Sequence, residues 1–525
     1  MPQEKSVIEA AVIWLNDVIW NPSFIWLCLG VGLFFSVMTR FAQVRHFAEM
    51  CRLLFRSDDS SEHGISSFQA LSVSLSGRVG IGNIAGVAAA IGFGGPGAVF
   101  WMWVVAFLGA STAYVESTLG QIYKMHDKES GMYLGGPAYY FERCLGWRWY
   151  GILFAVAATF SCGLFLIGPQ ANGVASAVVQ IFGEGQAVTT GIAGAVGSHR
   201  LIATACVLVL LAFIIFGGIR RIANFAQVVV PFMALAYIVL AMIIVFININ
   251  RVPELLALIV SDAFSPTAGL GAAIGMGVKR GIYSNEAGQG TGAHAAAAAA
   301  VEHPVQQGLV QAFSVYIDTL FVCTATALII LMTQQYNIVA DQSFAGDATQ
   351  YLVTHLKDAS GAVINADPGT TAFTQYAMAS VFGKSGPVLV GIATFFFAFT
   401  TILAYYYIAE TNVLYLARKF RWKRDVTLVV KLSAMLAVTY GAVGSAGYIW
   451  KLGDIGVGLN AWLNIIGLLI IFFRAGRPTI RALRDYERQQ KEKAAVYTFD
   501  PQALGIKHAT FWEERLQAET EKTKP

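Results

Sequence analysis

The residues of this chain that could do chemistry are polar and ionisable side chains set inside long apolar runs, and two stretches hold most of them. The first reads Ser76-Gly77-Arg78-Val79-Gly80-Ile81-Gly82-Asn83. The second reads Gly277-Val278-Lys279-Arg280-Gly281-Ile282-Tyr283-Ser284-Asn285-Glu286 and continues Gly288-Gln289-Gly290-Thr291-Gly292. Glycine costs about 1 kcal/mol against alanine in a helix. Within a bilayer, freed backbone groups survive only where protein or a water-filled cavity satisfies them. Both stretches are therefore predicted to break a helix and line a cavity. The N-terminus of a half-helix offers N–H groups and a positive dipole end to a carboxylate. Freed carbonyls offer oxygen to a small hard cation or to an ammonium group. The chemistry that fits is binding of a zwitterion together with a cation.

The elements that must position these residues are membrane helices. The chain has 525 residues, 56% hydrophobic and 13% charged, whereas soluble domains carry about 25% charged residues. A membrane helix needs about 20 mostly apolar residues. Eleven such segments are predicted, near 23–39, 66–92, 97–120, 150–181, 201–219, 224–248, 267–300, 308–333, 386–416, 426–447 and 454–473. Arginines and lysines collect in alternate loops, as Arg40, Arg45 and Arg52, then Arg143 and Arg148, then Arg220 and Arg221, then the tail from Arg474 onward. The positive-inside rule then places the N-terminus outside and the C-terminus in the cytoplasm.

The predicted fold class is an all-α polytopic membrane protein of eleven transmembrane helices. One extra N-terminal helix precedes two fives, and each five begins with a broken helix, which is the layout of a 5+5 inverted repeat. The expected divisions are an extracytoplasmic segment 1–22, the first helix and its loop 23–65, a repeat at 66–248, and a second at 267–473. The second repeat contains an outside loop 334–385, and a cytoplasmic tail 474–525 follows. Within the tail, 481–493 is expected to form a solvated or interfacial helix.

Several classes are excluded. Cys28, Cys51, Cys144, Cys162, Cys206 and Cys323 form no CxxC pair, so small buried hydrophobes are the expectation. No P-loop lysine, HExxH or GxSxG is present. The glycine patterns at 80–85 and 92–97 follow no strand, so the dinucleotide reading fails its context. Neither an enzyme nor a nucleic-acid partner is expected. The N-terminus does not read as a signal peptide.

At these same segments the sequence resembles the alanine/glycine:cation symporter family. The stretches that carry the resemblance are Val79–Ala88, Gly94–Trp103, Gly277–Gly288, Ile317–Thr319 with Cys323–Thr326, and Phe397–Leu403, within a similarity running from about residue 20 to 475. The resemblance implies a leucine-transporter-like fold and sodium- or proton-coupled uptake of small neutral amino acids in a bacterial inner membrane. It implies no cofactor beyond sodium as coupling ion, and the chain is expected to function as a monomer. Two positions depart from the family pattern: Ile81 stands where threonine is usual, and Ala404-Tyr405 where Gly-Trp is common.

With that resemblance, roles are expected as follows. Asn83 touches the cation, the substrate or both, or caps the second half-helix. Gly80 and Ile81 give backbone carbonyls to the cation. Gly82, Gly277, Gln170 beside Pro169, and Tyr405 line the substrate, and Tyr283 is a second aromatic candidate to close over it. Thr400 and Thr401 point about 100° apart. One hydroxyl can face the first break and the other the substrate, or either can bond the carbonyl four residues back. Asp318, an intramembrane carboxylate, can bind the cation, carry a proton, or pair with Lys279 or Arg280. Glu116 and Glu286 are expected as partners of Arg78, Lys279 or Arg280, in pairs that could act as gates.

Overall fold

The computed structural model describes residues 7–54, 64–127, 131–190, 194–265, 267–340, 350–418 and 423–522. Apart from three two-stranded hairpins, the described chain is helical. Eight of its helices are long and apolar enough to cross a membrane, and the pair Val7–Ile19 and Pro22–Met38, bent by 41°, makes a ninth if taken as one span. Large apolar side chains on Ser198–Ile215 and Gly218–Ile247, such as Phe213 and Phe232, lie on the outside of the bundle. In a soluble protein such a surface would aggregate; against lipid it costs nothing.

The two glycine-rich stretches are pairs of half-helices, each too short to cross alone. Ser67–Arg78 opens with a capping box in which Ser66 and Gln69 exchange bonds, and it stops at Val79, where Gly80 adopts an extended conformation. A single 3-10 turn, Ile81–Asn83, leads into Ala85–Gly94. Leu270–Asn285 ends at Glu286 in the left-handed region, with φ +57°. Gly288 and Gly290 follow at φ +89° and +77°, values that exclude most side chains, before Gly292–Ala298 resumes.

Two further helices contain π-helical turns, Ser161–Phe165 within Arg148–Phe182 and Tyr316–Cys323 within Pro304–Thr333. Such turns re-aim side chains and cluster at functional sites. The second one carries Asp318.

Residues 7–22 and 474–522 pack against the bundle. Val7–Ile19 packs on the last long helix, Ala446–Arg474, where Trp462 Nε1 donates to the Ile19 carbonyl. In the tail, the expected helix spans Pro478–Lys491 and has two faces: Leu483 and Tyr486, three residues apart, are buried under the bundle while Arg484 and Arg488 are exposed. A second tail helix spans Thr510–Lys522. The described residues of the loop 334–385 lie at the opposite end, with Pro368 seated against Gly92 of the first interrupted helix. These two ends are called the tail side and the loop side below.

Candidate functional site

The two interruptions meet at the centre of the bundle, and Asp318 lies between them. Its carboxylate accepts from Asn83 Nδ2 at 2.6 Å, from Ser284 Oγ at 2.9 and 3.0 Å, and from Thr319 Oγ1 at 2.7 Å. All four side chains are buried. A buried carboxylate without a paired cation is costly, and here three neutral donors offset only part of that cost. The same groups carry hydroxyl oxygens. When a small cation is supplied, Ser284 and Thr319 can turn lone pairs toward it while Asp318 provides the charge. Hard cations take such oxygen ligands. Cys323 Sγ also faces Asn83 Nδ2 and Ser284 Oγ, at 3.3 and 3.2 Å.

Asn83 serves this site and its own break together. Its Oδ1 accepts the Gly80 N–H at 2.8 Å, and its Nδ2 reaches Asp318. Gly80 has no room for a side chain, because a Cβ there would lie 2.5 Å from Thr401 Oγ1 and 2.9 Å from Gln170 Oε1. Gln170, on Ile167–Phe182, accepts the Ile81 N–H at 2.9 Å. Gly82 turns toward Tyr283 and Ser284 of the second interrupted helix. The structure thus brings Gly80, Ile81, Gly82, Asn83, Gln170, Thr401 and Asp318 together.

Other expectations need correction. The carbonyls of Gly80 and Ile81 are taken by the N–H groups of Asn83 and Ile84 within the 3-10 turn. The carbonyls that face Thr401 are those of Ser76, at 2.7 Å, and Val79, at 3.4 Å. The two threonines also separate: Thr400 bonds back to the carbonyls of Phe396 and Phe397 and lies against Met233, away from the break. Gly277 sits two turns before the second break and packs on Ala98 and Trp101, so it is a close helix contact and not a substrate contact. The Ile81 side chain fills the space left by Gly173, pointing out of the site.

The expected ion pairs are redistributed too. Lys279 and Arg280 both hold Asp454, at 2.7 and 2.6 Å, and neither pairs with Glu116, Glu286 or Asp318. The Arg280 guanidinium also lies 4.8 Å from the centre of the Trp450 ring, and Trp450 Nε1 donates to the Gly369 carbonyl of the loop. This assembly lies on the loop side of the centre. Arg78 donates to the Gln311 carbonyl and to Ser314 Oγ. Glu116 Oε2 accepts from the Gly290 N–H at 3.0 Å and from Asn464 Nδ2 at 2.8 Å, while Asn464 Nδ2 also reaches the Gly288 carbonyl. Glu286 Oε2 accepts from Thr291, and Tyr405 lies beside Glu286, on the tail side of the centre.

Ser284, Thr319, Asp454 and Asn464 were not assigned roles from sequence. Asp454 and Asn464 carried the same signal as Asp318, a polar group in an apolar run. Asp454 was hidden by standing at the predicted start of its helix. No signal marks Ser284 and Thr319 apart from their neighbours.

Comparison with known proteins agrees with this architecture. Residues 5–500 match the family described as the sodium:alanine symporter family. The carrier YrbD of Bacillus subtilis (strain 168) is 52% identical over 514 residues, covering 97% of this chain and 98% of YrbD. The sodium/proton-dependent alanine carrier protein of Bacillus sp. (strain PS3) is 43% identical over 468 residues, covering 88% and 97%. Among solved structures, MhsT in complex with L-phenylalanine superposes with a TM-score of 0.50 at 15% identity, over 80% of this chain and all of that one, a likeness of fold. The chain is a multi-pass membrane transporter and not an enzyme, and it belongs to the sodium:alanine symporter family.

Proposed function

We propose that this protein imports a small neutral amino acid, alanine or glycine, by sodium-coupled symport with alternating access. The observation that carries the reading is the convergence of both interrupted helices on the Asp318 carboxylate through Asn83 and Ser284. Sodium binds there, with Asp318, Ser284 and Thr319 as oxygen donors. A second cation position lies where Thr401 faces the carbonyls of Ser76 and Val79. The amino acid binds alongside, its carboxylate toward the backbone N–H groups around Gly82 and its flank toward Gln170 and Tyr405. The family name and the alanine carrier of strain PS3 support the substrate class.

In this reading the first N-terminal helix and ten further spans make eleven, with the two broken helices opening two inverted fives. The N-terminus is outside and the tail side is cytoplasmic. The Lys279 and Arg280 pairs to Asp454 close the outer path, and the Arg78, Glu116 and Glu286 cluster lines the inner one. One sodium moving down a 100 mV potential gains about 2.3 kcal/mol, enough to concentrate a neutral zwitterion roughly fifty-fold.

The test is labelled alanine uptake into proteoliposomes, with sodium and proton gradients imposed separately. Uptake that requires sodium at fixed pH is expected. Uptake driven by a proton gradient alone would make the chain a proton-coupled carrier on the same fold, and uptake indifferent to both would overturn symport.

A further inference from the structure

The tail-side halves of both interrupted helices end in one small junction. Ile65, just before Ser67–Arg78, donates its N–H to the Ala298 carbonyl at 3.0 Å and accepts from the Ala300 N–H at 2.9 Å. Residues 299–303 continue from the end of Gly292–Ala298. Any motion that opens the tail side must carry this junction with it, because it is the outer anchor of both half-helices.

The junction is gripped from beyond the bundle. Lys124, at the end of Gly97–Ile122, donates Nζ to the Ala299 carbonyl at 2.8 Å. That ammonium is buried and sits over three rings, Tyr133 at 4.4 Å, Phe511 at 4.6 Å and Trp512 at 5.3 Å. Two of the three rings belong to the tail helix Thr510–Lys522. From the same helix, Trp512 Nε1 donates to the Gln121 carbonyl at 2.9 Å and Arg515 Nη1 to the Val301 carbonyl at 2.8 Å. The tail is itself tied down elsewhere, with Tyr486 donating to Glu49 at 2.6 Å and Arg45 to Glu487 at 2.8 Å. Trp512 is buried to 1% exposure against Gln121 and Lys124, and it is Lys124 and Arg515 that reach the junction itself, through the Ala299 and Val301 carbonyls.

We propose that the C-terminal helix is a latch: by boxing Lys124 and holding the Gln121 and Val301 carbonyls, it stabilises the state closed on the tail side, and its release accompanies opening to that side. The proposal rests on the alternating-access reading for its meaning, but its test needs no gradient and no transport. Cation–π and hydrogen-bond contacts of this kind, desolvated together, bias a two-state opening by roughly five- to tenfold.

Ser74 lies between the two tail-side half-helices, beside Gly292, and is buried in the closed state. A cysteine at that position (Ser74→Cys), in the full-length protein reconstituted in liposomes permeabilised to a maleimide, reports the open population as labelling in excess of the parent chain. The expected result is that Trp512→Ala raises this labelling rate by about five- to tenfold, while Trp512→Phe, which keeps a ring over Lys124 and loses the Gln121 bond, raises it by less, about two- to threefold. Labelling unchanged by Trp512→Ala, in protein that still binds alanine, would overturn the latch. If Trp512→Ala does not fold, Arg515→Ala removes the Val301 bond and the guanidinium over the Trp512 ring, and leaves the three rings over Lys124; a rise in labelling supports the proposal and an unchanged rate overturns it. Failure of the symport reading would appear separately, as loss of sodium-dependent uptake with the labelling difference intact.

Discussion

The break at 79–84 is closed by neutral groups, and the break at 286–291 adds two acidic side chains to the amides of Asn285, Gln289 and Asn464. In the first, an amide side chain caps its own turn through Asn83 and Gly80, Gln170 takes the Ile81 N–H, and Thr401 faces the Ser76 carbonyl. In the second, Glu116 takes the Gly290 N–H, and Glu286 binds Thr291 within the break. Neutral dipoles can exchange partners at little electrostatic cost, so the first break is suited to receiving and releasing a ligand. A carboxylate holding an N–H in a low-dielectric interior forms a stronger bond that is costly to leave unmade. The second break is thereby braced, and the residue it turns toward Asp318 is the neutral Ser284 at its margin.

Asp318 is the exception that joins the two, and its loss is the largest expected effect. Asp318→Asn keeps the size of the side chain and removes the charge facing the proposed sodium. Loss of a ligand's outer support alone costs about 10–100-fold in metal affinity, and loss of the charged ligand itself should exceed that. Sodium-dependent alanine uptake is expected to fall by about two orders of magnitude or more. Retained sodium dependence in Asp318→Asn would shift the cation to the Thr401 position and end the idea of a shared carboxylate.

Next in size is the brace. Glu116→Leu leaves the Gly290 N–H and the Asn464 amide without their acceptor, at about 1–3 kcal/mol for each buried orphan, and the break loosens. Glu116→Gln keeps an acceptor oxygen in place. Thermal stability and uptake are both expected to drop in Glu116→Leu and to stay near wild type in Glu116→Gln. If Glu116→Gln is as damaged as Glu116→Leu, the charge itself is used, and the second break is more than a brace.

The threonine pair sharpens the contrast at the first break. Thr401→Val removes the hydroxyl facing the Ser76 and Val79 carbonyls, whereas Thr400→Val removes one bonded within its own helix. An apparent sodium affinity weakened by about tenfold, as for the loss of about 1.4 kcal/mol, is expected for Thr401→Val. Thr400→Val should change it little. The opposite order would mean that the helix rotates between states.

Much of this was legible in the sequence, for identifiable reasons. Hydropathy located the long spans because a bilayer imposes helix length directly, and glycines mixed with polar residues located both breaks because nothing else tolerates them there. Gln170, expected as a substrate contact, and Thr401, one of two threonines expected to face the break, both lie against the first break. What was not legible is which way a side chain points once helical phase is locally altered. Asp318 sits in a π-helical turn, whose extra residue shifts the register of everything after it. The Thr400 and Thr401 ambiguity is of the same kind, since adjacent residues share a sequence signal and differ only by 100°. Partners across the bundle were also invisible: Lys279 and Arg280 chose Asp454, about 170 residues away, over nearer carboxylates. The tail's helix was legible, but its packing was not, because its charged residues outnumber the buried aromatics Tyr486, Phe499 and Trp512.

The smallest expected effect concerns Ile81, one of the positions where the chain departs from its family's pattern. Its N–H faces Gln170, but its side chain lies against Gly173, where glycine leaves the space it occupies. A neutral break of this kind uses the backbone of residue 81 and not its side chain. Ile81→Thr therefore keeps the functional N–H and loses one buried methylene and methyl while adding a hydroxyl to an apolar niche. The cost should appear as stability, about 1–3 kcal/mol from the lost burial and the added polar group. The apparent affinities for alanine and for sodium are expected to stay within about twofold of wild type. Uptake kinetics and thermal unfolding measured on the same preparation separate the two. A sodium affinity strengthened by Ile81→Thr would show that the hydroxyl finds the cation after all, and that the backbone alone does not define the first break.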